Sequence, residues 1–209
     1  MLFLDELAEF SPAVLDALRQ PLEEGRVRVA RAHGAVQFPA RFLLVAATNP
    51  CPCGNAGSEQ ACRCTDASRR RYRRRLSAPL LDRFDLRLGV ARPDPDRLTG
   101  AVAEECSNAV AARVRHVREL TAARGVSTNR ELTPALLDRF AAPDRAARAL
   151  LRDALRAHRL TARGVDRVRR VARTLADLEG CAGATLNDEQ VALAMHLRTD
   201  PDVLLGAEL

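Results

Sequence analysis

The sequence begins with MLFLDEL, residues 1–7, and this stretch decides how the first half of the chain is interpreted. Three apolar residues, 2–4, precede two adjacent carboxylates, Asp5 and Glu6. A short apolar run without a polar interruption predicts a strand buried on both faces of a parallel sheet. Residues just past the ends of such strands lie where open α/β sheets bind their ligands. Two acids at that place favour a cation site, because a buried carboxylate needs a positive partner.

Apolar residues followed by Asp and Glu have the form of a Walker B motif, in which the aspartate, here Asp5, holds Mg²⁺ on a nucleotide. By resemblance to such ATPases, Glu6 polarises the attacking water. A strand that runs into an acidic helix cap also fits this short pattern, so the residues alone leave both interpretations open.

Lysine is absent from the sequence, so all 33 basic residues are arginines. The P-loop of these ATPases, G-x-x-x-x-G-K-[ST], needs a lysine upstream of the Walker B strand. This sequence therefore cannot supply a P-loop. If residues 2–6 are a Walker B motif, we expect the chain to be the rear part of an ATPase whose front part lies outside it.

Composition limits the possible classes of protein. Aromatic residues make up only 3% of the 209 residues, so cores of Ala, Leu and Val are expected, which favours helices. A net charge of +6 permits an anionic partner such as nucleotide or nucleic acid. No apolar run approaches the roughly 18 residues of a membrane span, and no secretory leader is visible. We therefore expect a cytoplasmic protein with no membrane partner and with reduced cysteines.

Residues 1–92 are interpreted as part of an α/β core, and residues 97–199, rich in Ala, Leu and Arg at helical period, as a helical domain followed by a tail over 200–209. The elements predicted within these regions are a helix over 11–25 in spite of Pro21, a hairpin around His33 and Gly34, a buried strand over 41–49, a helix at the start of 67–84, a last strand over 85–96 and a final helix over 187–198.

Asn49 stands at the end of the second predicted strand. If strands 2–4 and 41–48 are neighbours in a parallel sheet, Asn49 lies near Asp5 and Glu6, where its amide can orient a water beside a γ-phosphate. This position is called sensor 1 in AAA+ ATPases. A turn asparagine before Pro50 is the alternative.

Arg83 follows a predicted helix and precedes a predicted strand in LSAPLLDRFDL, residues 76–86. In AAA+ rings an arginine at this place reaches into the neighbouring subunit, where it stabilises charge on the transferred phosphoryl group. A surface arginine paired with Asp82 or Asp85 is the other interpretation.

These motifs occur in one order along the chain: LFLDEL at 2–7, FPARFLLVAATNPCPCG at 38–54, RRYRRRLSAPLLDRFDL at 70–86 and LTARGVDRVRRVARTLADLEG at 160–180. Together they resemble the Mg-chelatase-like AAA+ ATPases of the YifB/ComM type, over residues 1 to about 198.

The resemblance implies the C-terminal part of an AAA+ αβα nucleotide-binding core, followed by an all-α lid domain. It implies ATP and Mg²⁺ as cofactors, a homo-oligomeric ring with a hexamer expected, and DNA branch migration as a ring helicase. Glu6, Asn49 and Arg83 would be catalytic, and Asp5, Glu6 and Arg163 would bind nucleotide and Mg²⁺, with Arg163 as sensor 2. The family's N-terminal domain and P-loop lie outside this sequence, so we expect no ATP hydrolysis by this chain alone.

Four cysteines form two C-x-C pairs, Cys51 with Cys53 and Cys62 with Cys64, separated by eight residues. Four thiolates can close a tetrahedral Zn²⁺ site, although this spacing is tighter than the usual C-x₂-C. Free thiols or a disulfide pair are the alternatives, and a reducing compartment disfavours disulfides. The two remaining cysteines are predicted to be small core residues: Cys106 and Cys181.

The segment SRRRYRRRLS, residues 68–77, carries six arginines around the only tyrosine. An arginine-rich helix beside a zinc-like loop can contact DNA phosphates, a neighbouring subunit or only solvent. The six arginines are Arg69, Arg70, Arg71, Arg73, Arg74 and Arg75.

Two further functions remain open. One is a chelatase motor that drives Mg²⁺ insertion into a porphyrin, which the cysteine loop disfavours. The other is a non-catalytic zinc-binding or interaction module, which the missing P-loop favours for this chain as it stands.

Overall fold

The computed structural model describes residues 1–31, 34–56, 62–90, 99–100, 105–181 and 183–198. The described residues divide into two compact units, unit 1 over residues 1–87 and unit 2 over residues 88–198. The boundary that we expect between residues 92 and 97, and the tail over 200–209, lie outside the described residues.

Unit 1 mixes strands with short helices. Its elements are β1 (Leu2–Leu4), a 3₁₀ turn (Leu7–Glu9), α1 (Pro12–Ala17), α2 (Arg19–Glu24), β2 (Arg26–Arg31), β3 (Gly34–Pro39), β4 (Leu44–Ala46), α3 (Asp66–Arg73) and α4 (Ala78–Leu81). β1 pairs with β4 in parallel, with Leu2 opposite Leu44 and Leu4 opposite Ala46. The predicted parallel pairing of these two strands is confirmed.

The prediction that both strands are buried on both faces is wrong for the described chain. Side chains alternate between the two faces of a strand. Leu4 and Leu44 pack against the core of unit 1, whereas Phe3 and Val45 on the opposite face are 56% and 39% exposed. The second strand is also shorter than predicted, since it covers only Leu44–Ala46. Within the described ranges, helices cover only one face of this strand pair, so only that face is buried.

The helix predicted over 11–25 forms as two helices. It begins as expected, with Ser11 as N-cap and Pro12 in the first turn, and it ends at Gly25, which has φ +66°. The break falls at Leu18, between α1 and α2. Pro21 explains the break, because a proline ring clashes with the carbonyl four residues earlier and lacks the N–H that would bond to it.

The predicted hairpin is confirmed. β2 and β3 pair antiparallel from Arg26 opposite Pro39 to Arg31 opposite Gly34, and the turn itself lies outside the described residues. The strand predicted over 85–96 is wrong for the part of it that is described, because 85–90 forms no strand beyond an isolated bridge at Arg87. Leu86 and Leu88 are exposed there. A single bridge holds too little backbone in register to bury the side chains on either side of it.

Unit 2 is built mainly from helices. Its elements are α5 (Ser107–Ala123), a 3₁₀ turn (Asn129–Glu131), α6 (Pro134–Phe140), β5 (Ala142–Pro143), α7 (Arg145–Arg156), α8 (Ala162–Leu178), β6 (Thr185–Leu186) and α9 (Asp188–His196). The expectation of an all-α domain needs one correction, because β5 and β6 pair in parallel. This short pair ties the connection before α7 to the connection before α9.

The core of unit 2 follows from its composition. Its buried apolar cluster contains only Leu, Ala and Val: Leu132, Leu137, Ala141, Ala147, Leu151, Val168, Ala172, Ala176, Leu186, Val191 and Ala194. Small alanines allow helices to approach closely, which suits a chain that is poor in aromatic residues. The final helix is confirmed, with Asn187 and Gln190 forming a capping box at its start. No helix in the described ranges is long and apolar enough to cross a membrane.

Candidate functional site

Three of the predicted site residues follow the carboxyl ends of the β1–β4 pair. Asp5 and Glu6 directly follow β1, and Asn49 lies three residues beyond the end of β4. Because the strands are parallel, their carboxyl ends open on the same edge. The edge is closed by backbone hydrogen bonds, from Leu7 N to Ala47 O at 2.8 Å and from Ala47 N to Leu4 O at 2.9 Å. We call these residues, 5–9 and 47–49, the carboxylate edge.

Glu6 has a strained backbone at this edge. It adopts the left-handed conformation, with φ 50° and ψ 45°, as it enters the 3₁₀ turn. Its amide donates to Asp5 Oδ1 at 2.9 Å, and both side chains are exposed. A left-handed glutamate costs about 1–2 kcal/mol, and such strain concentrates at functional sites. The conformation therefore marks Glu6 independently of the sequence pattern.

Arg83 is engaged inside unit 1. Its guanidinium donates to the carbonyls of Pro79 at 2.6 Å and Arg19 at 3.2 Å, and it forms an ion pair with Glu23. The side chain is 13% exposed. The fold brings Glu23, which is distant in sequence, beside Arg83, and the role of Arg83 as an arginine finger stays a prediction.

Arg163 lies in the first turn of α8 and is exposed. Thr161 caps this helix by accepting a hydrogen bond from Gly164 N at 3.0 Å. The N-terminus of a helix carries partial positive charge and favours anions, so an arginine here adds to an existing anion-favouring field. Arg163 belongs to unit 2, and its role as sensor 2 stays a prediction.

The four cysteines of the C-x-C pairs converge. Their sulfur atoms all lie within 4.8 Å of one another. Cys51 Sγ is 3.4 Å from Cys53 Sγ and 3.7 Å from Cys62 Sγ, and the Cys53 and Cys62 sulfurs are 3.6 Å apart. A tetrahedron with Zn–S bonds of about 2.3 Å has sulfur atoms about 3.8 Å apart. The spacing therefore fits four thiolates around one metal ion, and these cysteines are not joined as disulfides.

Local turns build this cluster. Gly54 adopts φ +77° and its amide donates to Cys51 O at 2.9 Å, which folds Cys53 back beside Cys51. Cys51 is buried and also accepts from Ala56 N at 3.3 Å. Backbone N–H groups of this kind stabilise a thiolate, because they donate to its charged form.

The thiols of the cluster differ in pKa. Backbone hydrogen bonds from Asn55 and Arg63 lower the pKa of Cys53 to about 6. Burial, together with the thiols around it, raises the pKa of Cys64 to about 12. Crowded thiols cannot all ionise together without a cation, because each new negative charge repels the others. Such a cluster is arranged for a cation that compensates several thiolates.

The arginine-rich segment forms α3, as predicted, with Thr65 as its N-cap. Five of its six arginines divide into two groups, and the sixth, Arg73, is half-buried. Arg69 is paired with Asp66, and Arg75 is paired with Glu9 at 2.7 Å. Arg70, Arg71 and Arg74 are exposed, and their guanidiniums have no hydrogen-bond or ion-pair partner within the described part of unit 1.

Sequence reasoning missed the inward contacts of α3. Arg75 also donates to Ala8 O at 2.9 Å, and the hydroxyl of the buried Tyr72 lies 3.5 Å from Thr48 Oγ1. Both contacts end on the carboxylate edge. They join residues more than 20 positions apart, so no local spacing could have indicated them. The only available signal was the single Tyr inside an arginine run.

The prediction for the two remaining cysteines is wrong, since Cys106 and Cys181 are both exposed. Cys106 stands at the N-cap of α5. Cys181 follows the end of α8, where its sulfur lies 3.7 Å from Gln190 Nε2. Helical period alone placed both in a core, but each stands just outside a helix, where the apolar stripe has ended.

Comparison with known proteins identifies the family of both stretches of the chain. Residues 1–98 match the family described as magnesium chelatase, subunit ChlI, and residues 104–198 match the ChlI C-terminal family. An uncharacterized protein of Mycobacterium tuberculosis is 46% identical over 200 residues, which cover 94% of this chain and 39% of that protein.

Two other relatives are competence protein ComM of Haemophilus influenzae and the uncharacterized protein YifB of Escherichia coli. They are 41% and 39% identical over 182 and 180 residues. Each alignment covers 86% of this chain and 35% of the relative. The chain thus spans between a third and two fifths of the length of these relatives. It belongs to the Mg-chelatase-like family, with ComM and YifB as homologues.

Proposed function

We propose that this chain is the C-terminal part of a ring-forming AAA+ ATPase that acts on DNA. The observation that carries the proposal is the carboxylate edge: parallel pairing of β1 with β4 brings Asp5, Glu6 and Asn49 to one edge of the sheet. Family membership supports the same class of protein. In this proposal unit 1 is part of the nucleotide-binding core and unit 2 is the lid.

The donors at the edge suit Mg²⁺ and a nucleotide. Carboxylate and amide oxygens are the ligands that Mg²⁺ accepts, and it binds through one or two carboxylates together with phosphates. Bound Mg²⁺ neutralises charge on the phosphates. Asp5 would hold it, Glu6 would accept a proton from the attacking water, and Asn49 would orient that water. The phosphate cradle of a P-loop must come from outside this sequence, which has no lysine.

Arg83 must change partners to act as a finger. Its guanidinium is satisfied by Glu23 and two carbonyls of its own unit. A phosphoryl group of a neighbouring subunit would compete with Glu23 for the same donors. Because the Glu23 side chain is 39% exposed, solvent weakens the existing pair and lowers the free energy needed for the exchange.

Subunit mixing in a completed enzyme tests the proposal. The chain is grafted in place of the matched region of the M. tuberculosis relative, and Arg83→Ala subunits are mixed with Glu6→Gln subunits. Each variant alone should be nearly inactive, since an arginine finger is worth about 10³–10⁵ in turnover. In the mixture some interfaces combine an intact Glu6 with an intact Arg83 from the neighbour, so activity should partly return.

The control mixture pairs Arg163→Ala with Glu6→Gln. If Arg163 acts on the nucleotide of its own subunit, no site in this mixture has both groups, and no activity should return. Equal recovery in both mixtures, in rings shown to exchange subunits, contradicts the assignment of Arg83 to the neighbouring site. The ungrafted chain should release no phosphate from ATP, and turnover that disappears in its Glu6→Gln variant would contradict the need for an outside P-loop.

We further propose that Cys51, Cys53, Cys62 and Cys64 hold one structural Zn²⁺. The sulfur spacings and the raised and lowered thiol pKa values support a cation at this place. Elemental analysis should find about one zinc per chain, from four ligands per ion. Cys62→Ser should lose the metal, whereas the matched control Cys106→Ser, at an exposed cysteine outside the cluster, should retain it. A metal-free protein with four freely reactive thiols would overturn the assignment.

A further inference from the structure

Helix α3 connects three features of unit 1. Its N-cap, Thr65, directly follows Cys64 of the thiol cluster. Arg70 and Arg71 on its exposed side, and Arg74 at its C-cap, face solvent. Its inward contacts, from Tyr72 and Arg75, end on the carboxylate edge. The same short helix therefore carries exposed arginines and, together with Arg75 just beyond its end, touches both segments of the carboxylate edge.

Arg75 provides the stronger of the two inward contacts. One nitrogen donates to Ala8 O at 2.9 Å and to Glu9 Oε2 at 2.7 Å. Both acceptors belong to the 3₁₀ turn that begins right after Glu6. Hydrogen bonds from a charged donor are about twice as strong as neutral ones. The turn that directly follows the strained Glu6 is thus held by Arg75, just past the end of α3.

Tyr72 provides the weaker contact. Its hydroxyl is 3.5 Å from Thr48 Oγ1, at the outer limit of hydrogen bonding. Its ring, however, is buried in the core of unit 1, which fixes its position. Thr48 immediately precedes Asn49. A shift of α3 therefore reaches the Asn49 segment through packing more than through this hydrogen bond.

The outward side of α3 fits a phosphate backbone. Arg70 and Arg74 are four residues apart and so lie on one face, with Arg71 beside them. Asp66 is the acidic residue of the helix, and it is already paired with Arg69. Planar guanidiniums without a carboxylate partner suit phosphates, which they bind in a bidentate manner.

We propose that α3 couples nucleic-acid binding to the carboxylate edge. Phosphates held by Arg70, Arg71 and Arg74 immobilise the last turn of the helix, and the adjacent Arg75 then holds the 3₁₀ turn after Glu6 more persistently. Arg75 and Tyr72 are positioning residues, since neither touches a reacting atom. The inference rests on the proposed function for the meaning of the edge, but not for the coupling itself.

When one ligand orders part of a protein, a second site can become more ordered as well, without a large movement of either site. The Arg75–Glu9 pair is exposed enough to contribute little to stability. The contact can therefore open and close within the folded unit. A bound DNA strand can shift this equilibrium between the open and closed contact.

Amide hydrogen exchange on the full chain tests the coupling without ATP turnover. The reporters are the amides of Leu7 and Ala47, which bridge β1 and β4 at the carboxylate edge. The probe is a single-stranded oligodeoxynucleotide at saturating concentration and low salt. We expect exchange of both amides to slow by about fivefold or more, the lower end of usual coupling between sites.

Arg75→Gln should bind the oligonucleotide but lose this slowing. Arg69→Gln is the matched control, since it removes the same charge from the same arginine-rich segment and leaves the contacts of Arg75 with Ala8 and Glu9 intact; it should keep the slowing. Glu9→Gln, at an exposed position that leaves the fold unchanged, should reduce it. A role in folding alone would change exchange equally with and without DNA.

Three results would overturn the proposal. The oligonucleotide fails to bind, the slowing persists in Arg75→Gln, or wild type binds without any slowing. Equal slowing by heparin would overturn the assignment to nucleic acid, because the surface would then recognise any polyanion. An inactive grafted enzyme in which the chain still shows the slowing would refute the proposed ATPase and leave the coupling standing.

Discussion

The buried ionic group of unit 2 and the exposed arginines around α3 in unit 1 use the same residue type in opposite ways. In unit 2, Arg173 is 1% exposed and Asp177 is fully buried. Asp177 accepts from Arg124 at 2.6 Å, Asn129 at 2.9 Å and Arg173 Nε at 3.0 Å. In unit 1, Arg70, Arg71 and Arg74 face solvent, and Glu6 has a strained backbone.

The ionic group that Asp177 forms with Arg124 and Arg173 in unit 2 has further hydrogen bonds. Arg173 also donates to the carbonyls of Cys181, at 2.6 Å, and Gly183. These contacts join α5, α8 and the loop before β6. A buried ionic group that is fully hydrogen-bonded specifies one arrangement of the helices, whereas a half-satisfied one is worse than an apolar core.

The two units differ in whether these charged side chains are bonded within the fold or exposed to solvent. In unit 2 the buried charges of Arg173 and Asp177 are satisfied within the fold, so they hold helices together. Unit 1 leaves charges on α3 and at the carboxylate edge exposed and keeps Glu6 in an unfavourable conformation. Charges that the fold leaves exposed are available to ligands, and for this reason we propose the binding surface in unit 1.

The largest expected effect comes from neutralising the buried acid. Asp177→Asn leaves Arg124 and Arg173 without a counter-charge and should lower the free energy of unfolding of unit 2 by about 3–5 kcal/mol. Urea unfolding followed by amide exchange in α8 measures the change. The control is Asp138→Asn, at an exposed acid paired with Arg169, which should cost less than about 1 kcal/mol. Equal losses of stability in the two variants would mean that the buried ionic group of unit 2 contributes no more than an exposed ion pair.

Lowering the pH should reduce the difference in free energy of unfolding between the wild type and Asp177→Asn. Burial alone would raise the pKa of Asp177, but hydrogen bonds from Arg124 and Asn129 and the charge of Arg173 outweigh it and hold that pKa below its usual range. The contribution is complete above the unfolded pKa of about 3.9 and is lost as pH falls through the folded pKa. Urea midpoints between about pH 6 and pH 2 test this, and a gap that stays constant with pH would contradict it.

Relieving strain at Glu6 should stabilise unit 1. Asparagine tolerates the left-handed region better than glutamate, so Glu6→Asn should raise the free energy of unfolding by about 0.5–1 kcal/mol. Glu6→Gln removes the same charge but keeps the unfavourable conformation, so it should not stabilise. Thermal unfolding of the two variants side by side distinguishes strain from charge, and equal stabilities would exclude strain as the cause.

The smallest effect on stability is expected on α3. Arg70→Gln combined with Arg74→Gln should leave the free energy of unfolding within about 0.5 kcal/mol, as for ordinary surface positions. The same variant should weaken binding of single-stranded DNA, and the slope of log affinity against log salt should fall by about 0.7 for each phosphate that is no longer bound. Unchanged affinity with lowered stability would mean that these arginines serve the fold, as those of unit 2 do.

The sequence by itself determined the local features and their order. Ser11, Gly25 and Asn187 mark element ends, because capping depends on neighbouring residues only. The apolar run before Asp5 predicted a strand, and the C-x-C pairs predicted a cluster, since short spacings restrict where side chains can reach.

Only the tertiary structure decided which distant groups meet. Arg83 faces Glu23, Arg75 reaches Ala8, and Arg124 joins Asp177 across 53 positions. No pattern in the sequence distinguishes these arginines from the others, because an arginine's role depends on which carboxylate or carbonyl the fold brings beside it. Burial likewise depends on packing, so strands that look fully apolar in sequence are covered on one face only, where the fold supplies a helix layer.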